Sequence, residues 1–163
     1  MPRVAGVNLV AWLAAAIAIY FVGFLIYGVV FGTLWAQQTV LDHGLVTADK
    51  ASQLTQTDLA NLKIPGAMDM TLSMSLGGVI SIVTALGVSI AQRLMKPQSL
   101  VAALGNGFVL WFGFAATTLA YNVVYSSNST TVWAIDMTHL FLDYLIASAV
   151  VFLIDNKALR GEA

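Results

Sequence analysis

The sequence predicts an all-α, polytopic membrane protein: four transmembrane helices with a partly helical outer loop between helices 1 and 2. Three observations predict it. Charged residues are 9% of the 163-residue chain, 7 Lys+Arg and 8 Asp+Glu, where a soluble domain carries about 25%. Mean hydropathy is +0.84. Four apolar runs each reach the ~20 residues that a membrane-crossing helix needs. The composition excludes a disordered chain, a soluble enzyme domain and a nucleic-acid binder, which needs a basic patch. Net charge is −1 and cysteine is absent, which excludes disulfides, zinc ribbons, haem attachment and thiol catalysis. The length fits a single domain, residues 1–163.

The first span is expected at about residues 7–35. Its apolar run is far longer than the ~7–15 residues of a secretory h-region, and Arg3 alone precedes it. It reads as an uncleaved signal-anchor. The outer loop, residues 36–66, is polar: Asp42-His43-Gly44, then Thr47 to Lys63, then Pro65-Gly66. Thr47 fits the N-cap of a short helix whose weak apolar face is Ala51, Leu54 and Leu62. That helix is expected on the membrane surface or over the bundle mouth. The second span is expected at 67–91 and the third at 100–125. Lys96-Pro97 forms the hairpin between them, because Pro stops a helix. The fourth span is expected at 132–154. Asn128-Ser129-Thr130 matches a glycosylation sequon, read here as coincidence. Arg3, Arg93, Lys96, Lys157 and Arg160 fall on one side, Lys50 and Lys63 on the other. The positive-inside rule then places both termini in the cytoplasm.

Membrane helices associate through small residues. Gly28-x-x-x-Gly32 and Gly23 mark span one; Gly77, Gly78 and Gly87 mark span two; Gly105, Gly107 and Gly113 mark span three. Packing within the chain is expected of them before a homodimer face. Trp12, Trp35, Trp133, Tyr121 and Tyr125 lie toward span ends and fit interfacial anchors, with Trp111 packed in the bundle. Met68, Met70 and Met74 are read as gap fillers ahead of a soft-metal site. Asn106 is expected to bond across helices, and Asn8 to do so or to cap span one.

One constellation calls for chemistry. Asp136, His139 and Asp143 share a face of span four, at i, i+3 and i+7, continued by Ala147, Val150 and Ile154. Phe141, Leu145 and Phe152 are left to face lipid. At ~1.5 Å per residue, Asp143 lies near the midplane of a core ~30 Å thick. An ionised carboxylate there costs about 2.5–3.5 kcal/mol on insertion scales, so it must be paired, hydrated or protonated. His139 is its nearest same-face partner. Asp69, at the outer start of span two, joins these three as a candidate proton or cation site. Tyr20, Tyr27, Ser73, Thr84 and Asn122 are candidate lining residues. No cofactor or metal ligand set is expected, since helical Asp-x-x-His is not a specific metal pattern.

Span one, Val7-Asn8 through Gly23-Phe-Leu-Ile-Tyr27-Gly28-Val-Val-Phe31-Gly32-Thr-Leu-Trp35, resembles the opening of domain-of-unknown-function family 1761. Leu110-Trp111-Phe-Gly113-Phe114 and Ile135-Asp136-Met-Thr-His139 are similar to it in order and spacing. The resemblance covers about two thirds of the chain, span two and the outer loop least. It implies a small four-helix membrane protein and brings no activity, ligand or mechanism. The expected location is a bacterial inner (plasma) membrane, multi-pass.

Two functions compete. One is an outward-facing Asp/His cavity that binds or relays a cation, a proton or a protonatable small solute. The other is a non-catalytic accessory or scaffolding subunit of a larger membrane complex. No internal repeat or broken helix of the alternating-access kind is evident, so transport would require oligomerisation. No activated nucleophile is evident either, which argues against an enzyme. The expected partners are the lipid bilayer and, left open, a homo-oligomer or larger membrane complex; no nucleic acid is expected.

Overall fold

The computed structural model describes residues 2–4, 6–62, 68–126 and 129–159. Lys63, Pro65-Gly66, Ala67, Asn128 of the sequon and Arg160 lie outside the described residues. Four helices are long and apolar enough to cross a membrane: Leu9–Val30, Thr71–Met95, Leu100–Tyr125 and Thr130–Asn156.

The chain opens with a feature the apolar pattern does not announce, a two-strand hairpin of β1 (Arg3–Val4) and β2 (Val7–Asn8). Gly6 turns it at φ +79°. Helix α1 (Leu9–Phe24) starts where Asn8 accepts from the backbone N–H of Val10 and Ala11. The Asn8 amide also donates to Asp155 Oδ1 at 2.9 Å, so Asn8 both caps span one and ties it to span four. Span one ends in a π-helical segment, Leu25–Val30, where the Phe31 N–H reaches back five residues to the Ile26 carbonyl at 2.8 Å.

The helical chain does not stop at Trp35. Helix α2 (Gly32–Asp42) carries it well into the expected loop. The rest of that region holds two short helices instead of one, α3 (Ala48–Ala51) and α4 (Gln56–Asn61). Thr47 flanks α3 without a side-chain capping bond; Thr55 is the residue that caps, in a reciprocal box with Asp58 on α4. Both short helices pack on α2, and the Gln37 amide donates to the Leu54 carbonyl at 3.0 Å.

Span two is α5 (Met70–Met95), capped by Asp69, whose carboxylate accepts from Leu72 N–H. It ends at Lys96 in the left-handed region, φ 47°, ahead of Pro97. Span three is α6 (Leu100–Leu110), a π-helical stretch Trp111–Ala116, and α7 (Thr117–Ser126). Span four is α8 (Thr130–Leu159), one unbroken helix. Asp42 at the end of α2 accepts from Ser129 N–H at 3.0 Å, which fixes the start of α8.

Helix α8 is the hub: it packs along α1, α6 and α5, while α1 packs on α8 and α5. The core joins Ala15, Ala16 and Ile19 of α1, Ala85 and Val88 of α5, and Ala147 and Val151 of α8. Alanines therefore carry most of the close approach expected of glycines, since a methyl group is small enough for backbones to near one another. Gly28 meets only its own Phe24, and Gly87, Gly105 and Gly113 meet nothing within 4 Å. Gly107 does carry a contact: a Cβ there would sit 2.7 Å from the Tyr144 carbonyl.

Other expectations are corrected by the same packing. The Trp12 indole N–H donates to the Ile82 carbonyl at 2.8 Å, and the Nε1 atoms of Trp35 and Trp133 are buried. All three are half-buried and pack against the bundle. Tyr121 and Tyr125 are exposed and stack on one another. Met68 and Met74 fill no gap; both are exposed. Phe141, expected to face lipid, sits edge-on to Trp111 with ring centroids 5.0 Å apart, and Phe152 and Leu145 are half-buried.

Candidate intramembrane site

Helix α8 places Asp136, His139 and Asp143 in line on the face toward α1. Asp143 is thirteen residues from either end of the span Thr130–Asn156, so it stands at mid-span. It is 5% exposed. His139 Nε2 lies 3.2 Å from Asp143 Oδ2. The other carboxylate oxygen, Oδ1, is buried with no hydrogen-bond partner. Gly23 of α1 makes room for the imidazole: a Cβ there would lie 3.1 Å from His139 Nε2.

One turn outward, Tyr27 reaches across from the π-helical segment of span one. Its hydroxyl donates to Asp136 Oδ1 at 2.6 Å, a short bond of the charge-assisted kind. The Tyr27 ring also packs edge-on against the His139 ring at 4.9 Å and against Trp35 at 5.5 Å. Tyr27 therefore joins the two acidic groups into one cluster. Tyr27 lies within the π-helical segment, a feature that often marks functional positions.

Of the other residues read from the sequence, none joins this cluster through a hydrogen bond. Asp69 is exposed and spent on capping α5; a carboxylate at a helix start is held by backbone N–H groups. Ser73 and Asn122 are exposed. Tyr20 turns toward span two, its hydroxyl donating to the Met74 carbonyl at 3.4 Å with Gly77 and Gly78 beside its ring. Thr84 is half-buried on α5. Sequence reasoning placed Trp35 at the membrane interface and missed it as a wall of the cluster. Its i+8 spacing from Tyr27 is no signal through a π-helical turn.

At the opposite end lies a second polar cluster, which sequence counting resolved only in part. The Asn106 amide donates to Gln92 Oε1 at 3.2 Å, as a bond across helices was expected of it, and the Gln92 amide donates to the Ala103 carbonyl at 2.9 Å. Gln92 and Ser89 are buried. Here Asn8 and Asp155 tie α1 to α8, and Gln92 ties α5 to α6.

Chemically, the Tyr27–Asp136 and His139–Asp143 cluster brings together groups that can donate and accept protons. Each pair sets a titratable donor against a carboxylate within hydrogen-bond reach. Among the described residues no group of three or more His, Cys, Asp or Glu could hold a metal ion. A scan against protein-family models finds one that matches residues 10–152, described as a protein of unknown function (DUF1761). No curated protein and no solved structure matches the chain.

Proposed function

The chain belongs to this family of unknown function, and on that premise we propose that it is a small membrane protein whose half-buried Tyr27–Asp136 pair and His139–Asp143 pair take up and relay protons. One observation carries the reading. A carboxylate at mid-span, 5% exposed and with a partnerless oxygen, is bonded only to an imidazole. A charge at that depth is costly, and the pair lowers the cost by sharing a proton. Asp136, two turns nearer the outer end, is the next acceptor, with Tyr27 and His139 between them. A cation or protonatable solute would enter by the same route. The reading includes no catalytic reaction. It places the chain in an inner (plasma) membrane with both termini cytoplasmic, because Arg3, Arg93 and Lys96 gather at one end of the bundle.

The test is proton flux into vesicles holding the purified full chain and a pH-sensitive dye, under an imposed potassium diffusion potential. Wild type is expected to pass protons faster than protein-free vesicles. Asp143→Asn and His139→Gln are expected to fold and to lose that flux. Wild-type vesicles no leakier than empty ones, or both variants folding with unchanged flux, would overturn the relay. Loss of folding in both would make the network structural.

A second reading, an accessory or scaffolding subunit, draws on the lightly packed outer helices. Only 17% of an 18-residue stretch of span two, and 17% of one of span three, is buried within the chain, and Gly87, Gly105 and Gly113 lie open. Another helix could approach these faces closely. Co-purification of a membrane partner that Gly105→Leu abolishes is the observation that would favour it.

A further inference from the structure

A cavity of about 280 Å³ opens where α1 begins and where α5 and α8 end, far from the Asp/His cluster. Its floor is polar and already committed. The Asn8 amide is on Asp155, and Gln92 bridges Ala103 and Asn106. Among the described residues its lining holds three cations, Arg3, Arg93 and Lys96, and one carboxylate, Asp155. That imbalance favours an anion.

Two backbone features set the cations in place. Gly6 turns the N-terminal hairpin at φ +79°, and a Cβ there would overlap the Arg93 guanidinium. The hairpin thus folds directly onto Arg93, while Arg3 Nη1 donates weakly to the Gly6 carbonyl at 3.4 Å. Lys96 adopts φ 47°, a left-handed conformation uncommon outside glycine and asparagine. It turns the chain at the cavity rim, its ammonium without a side-chain bond among the described residues. Guanidinium groups match phosphate oxygens in a two-pronged geometry, and lysine adds a point charge. The rim lies at the ends of three membrane helices, the level of lipid headgroups.

We propose that this cavity binds a phosphate group, with Arg3, Arg93 and Lys96 as its ligands. The headgroup of an acidic phospholipid is the source its depth favours, because basic pockets between membrane helices suit such headgroups. Free phosphate presents the same chemistry from the aqueous side.

The test uses the full chain in a neutral detergent and short-chain phosphatidylglycerol, with phosphatidylcholine and inorganic phosphate as comparison probes. Binding of phosphatidylglycerol is expected to saturate at one site and to exceed that of phosphatidylcholine. Lys96→Asn, which keeps a side chain suited to the left-handed region, is expected to weaken it about fivefold. Arg3→Gln is expected to do the same, and the double variant about twenty-five-fold. Lys50→Gln, at the other end of the chain's charge distribution, is expected to bind as wild type. Competition by inorganic phosphate supports a site for the phosphate group from either source; acidic-lipid binding without that competition supports the lipid source. Equal binding of the two lipids with no binding of inorganic phosphate, or wild-type affinity in both single variants with melting unchanged, would overturn the proposal.

Discussion

Gly105 and Gly107 stand two residues apart on α6, and the bundle treats them oppositely. A Cβ at Gly107 would fall 2.6 Å from Ser148 Oγ and 2.7 Å from the Tyr144 carbonyl, whereas one at Gly105 meets nothing within 4 Å. The hydroxyl could rotate away; the backbone carbonyl could not without opening the α6–α8 crossing. Gly107→Ala is therefore expected to cost about 1–3 kcal/mol, the usual range for overpacking. Gly105→Ala is expected to be neutral or to stabilise by up to about 1 kcal/mol, since alanine loses less entropy in a helix. Unfolding of each variant in mixed micelles measures both. Gly23 is intermediate: the 3.1 Å approach falls on an imidazole, a ring that can give by a few tenths of an ångström. Gly23→Ala is expected to fold and to disturb the His139–Asp143 distance, and hence proton flux, more than stability.

At the scale of elements, the short helix α4 carries its own pH dependence. Asp58 receives hydrogen bonds from the Thr55 hydroxyl and backbone N–H, 2.6 and 2.9 Å long. They hold its carboxyl below the usual carboxylate range, side-chain bond first. The folded value is thus lower than the unfolded one, about 3.9. The box's contribution is complete above that unfolded value and is lost as pH falls through the lower folded one. Asp58 is fully exposed, so the change stays local. The Thr55 amide resonance is expected to titrate with Asp58 at a pH below the ordinary aspartate midpoint, and Asp58→Asn is expected to abolish that titration. In span one the defining element is the π turn Leu25–Val30. Its hydrogen bonding reaches back five residues, as Phe31 N–H to the Ile26 carbonyl, and within it Tyr27 meets Asp136 while Val29 and Val30 are exposed.

Across the whole molecule, α1 and α8 are clamped at both ends, by Asn8–Asp155 at one and Tyr27–Asp136 at the other. Nineteen residues of span one separate the clamps, roughly 28 Å of helix. Sites so far apart act independently. Tyr27→Phe is expected to cost about 1 kcal/mol, the scale of a bond between membrane helices. Asn8→Ala is expected to cost more, about 2 kcal/mol, because a helix cap goes with it. The double variant is expected to lose the sum of the two within about 0.5 kcal/mol. A larger shortfall or excess in the measured unfolding free energy would show the clamps to be coupled.

The sequence by itself determined the four spans, the family, and the stripe of Asp136, His139 and Asp143 with its depth. Each of these follows from local quantities: apolar run length, residue order and the 3.6-residue period of one unbroken helix, α8. It also anticipated Asn8 as a cap and Asn106 as a bond between helices. Only the tertiary structure decided which groups from other spans reach that stripe. Tyr27 does, through a π turn that no run of apolar residues reveals. Asp69 does not, because the free N–H groups at the start of α5 claim its carboxylate. Helix rotation decided the rest, and rotation is set by which small residues let backbones approach: alanines of α1, α5 and α8 and Gly107 carry the contacts, while Gly28, Gly87, Gly105 and Gly113 do not. A sequence records that these residues are small; only the packed bundle records which of them have a neighbour.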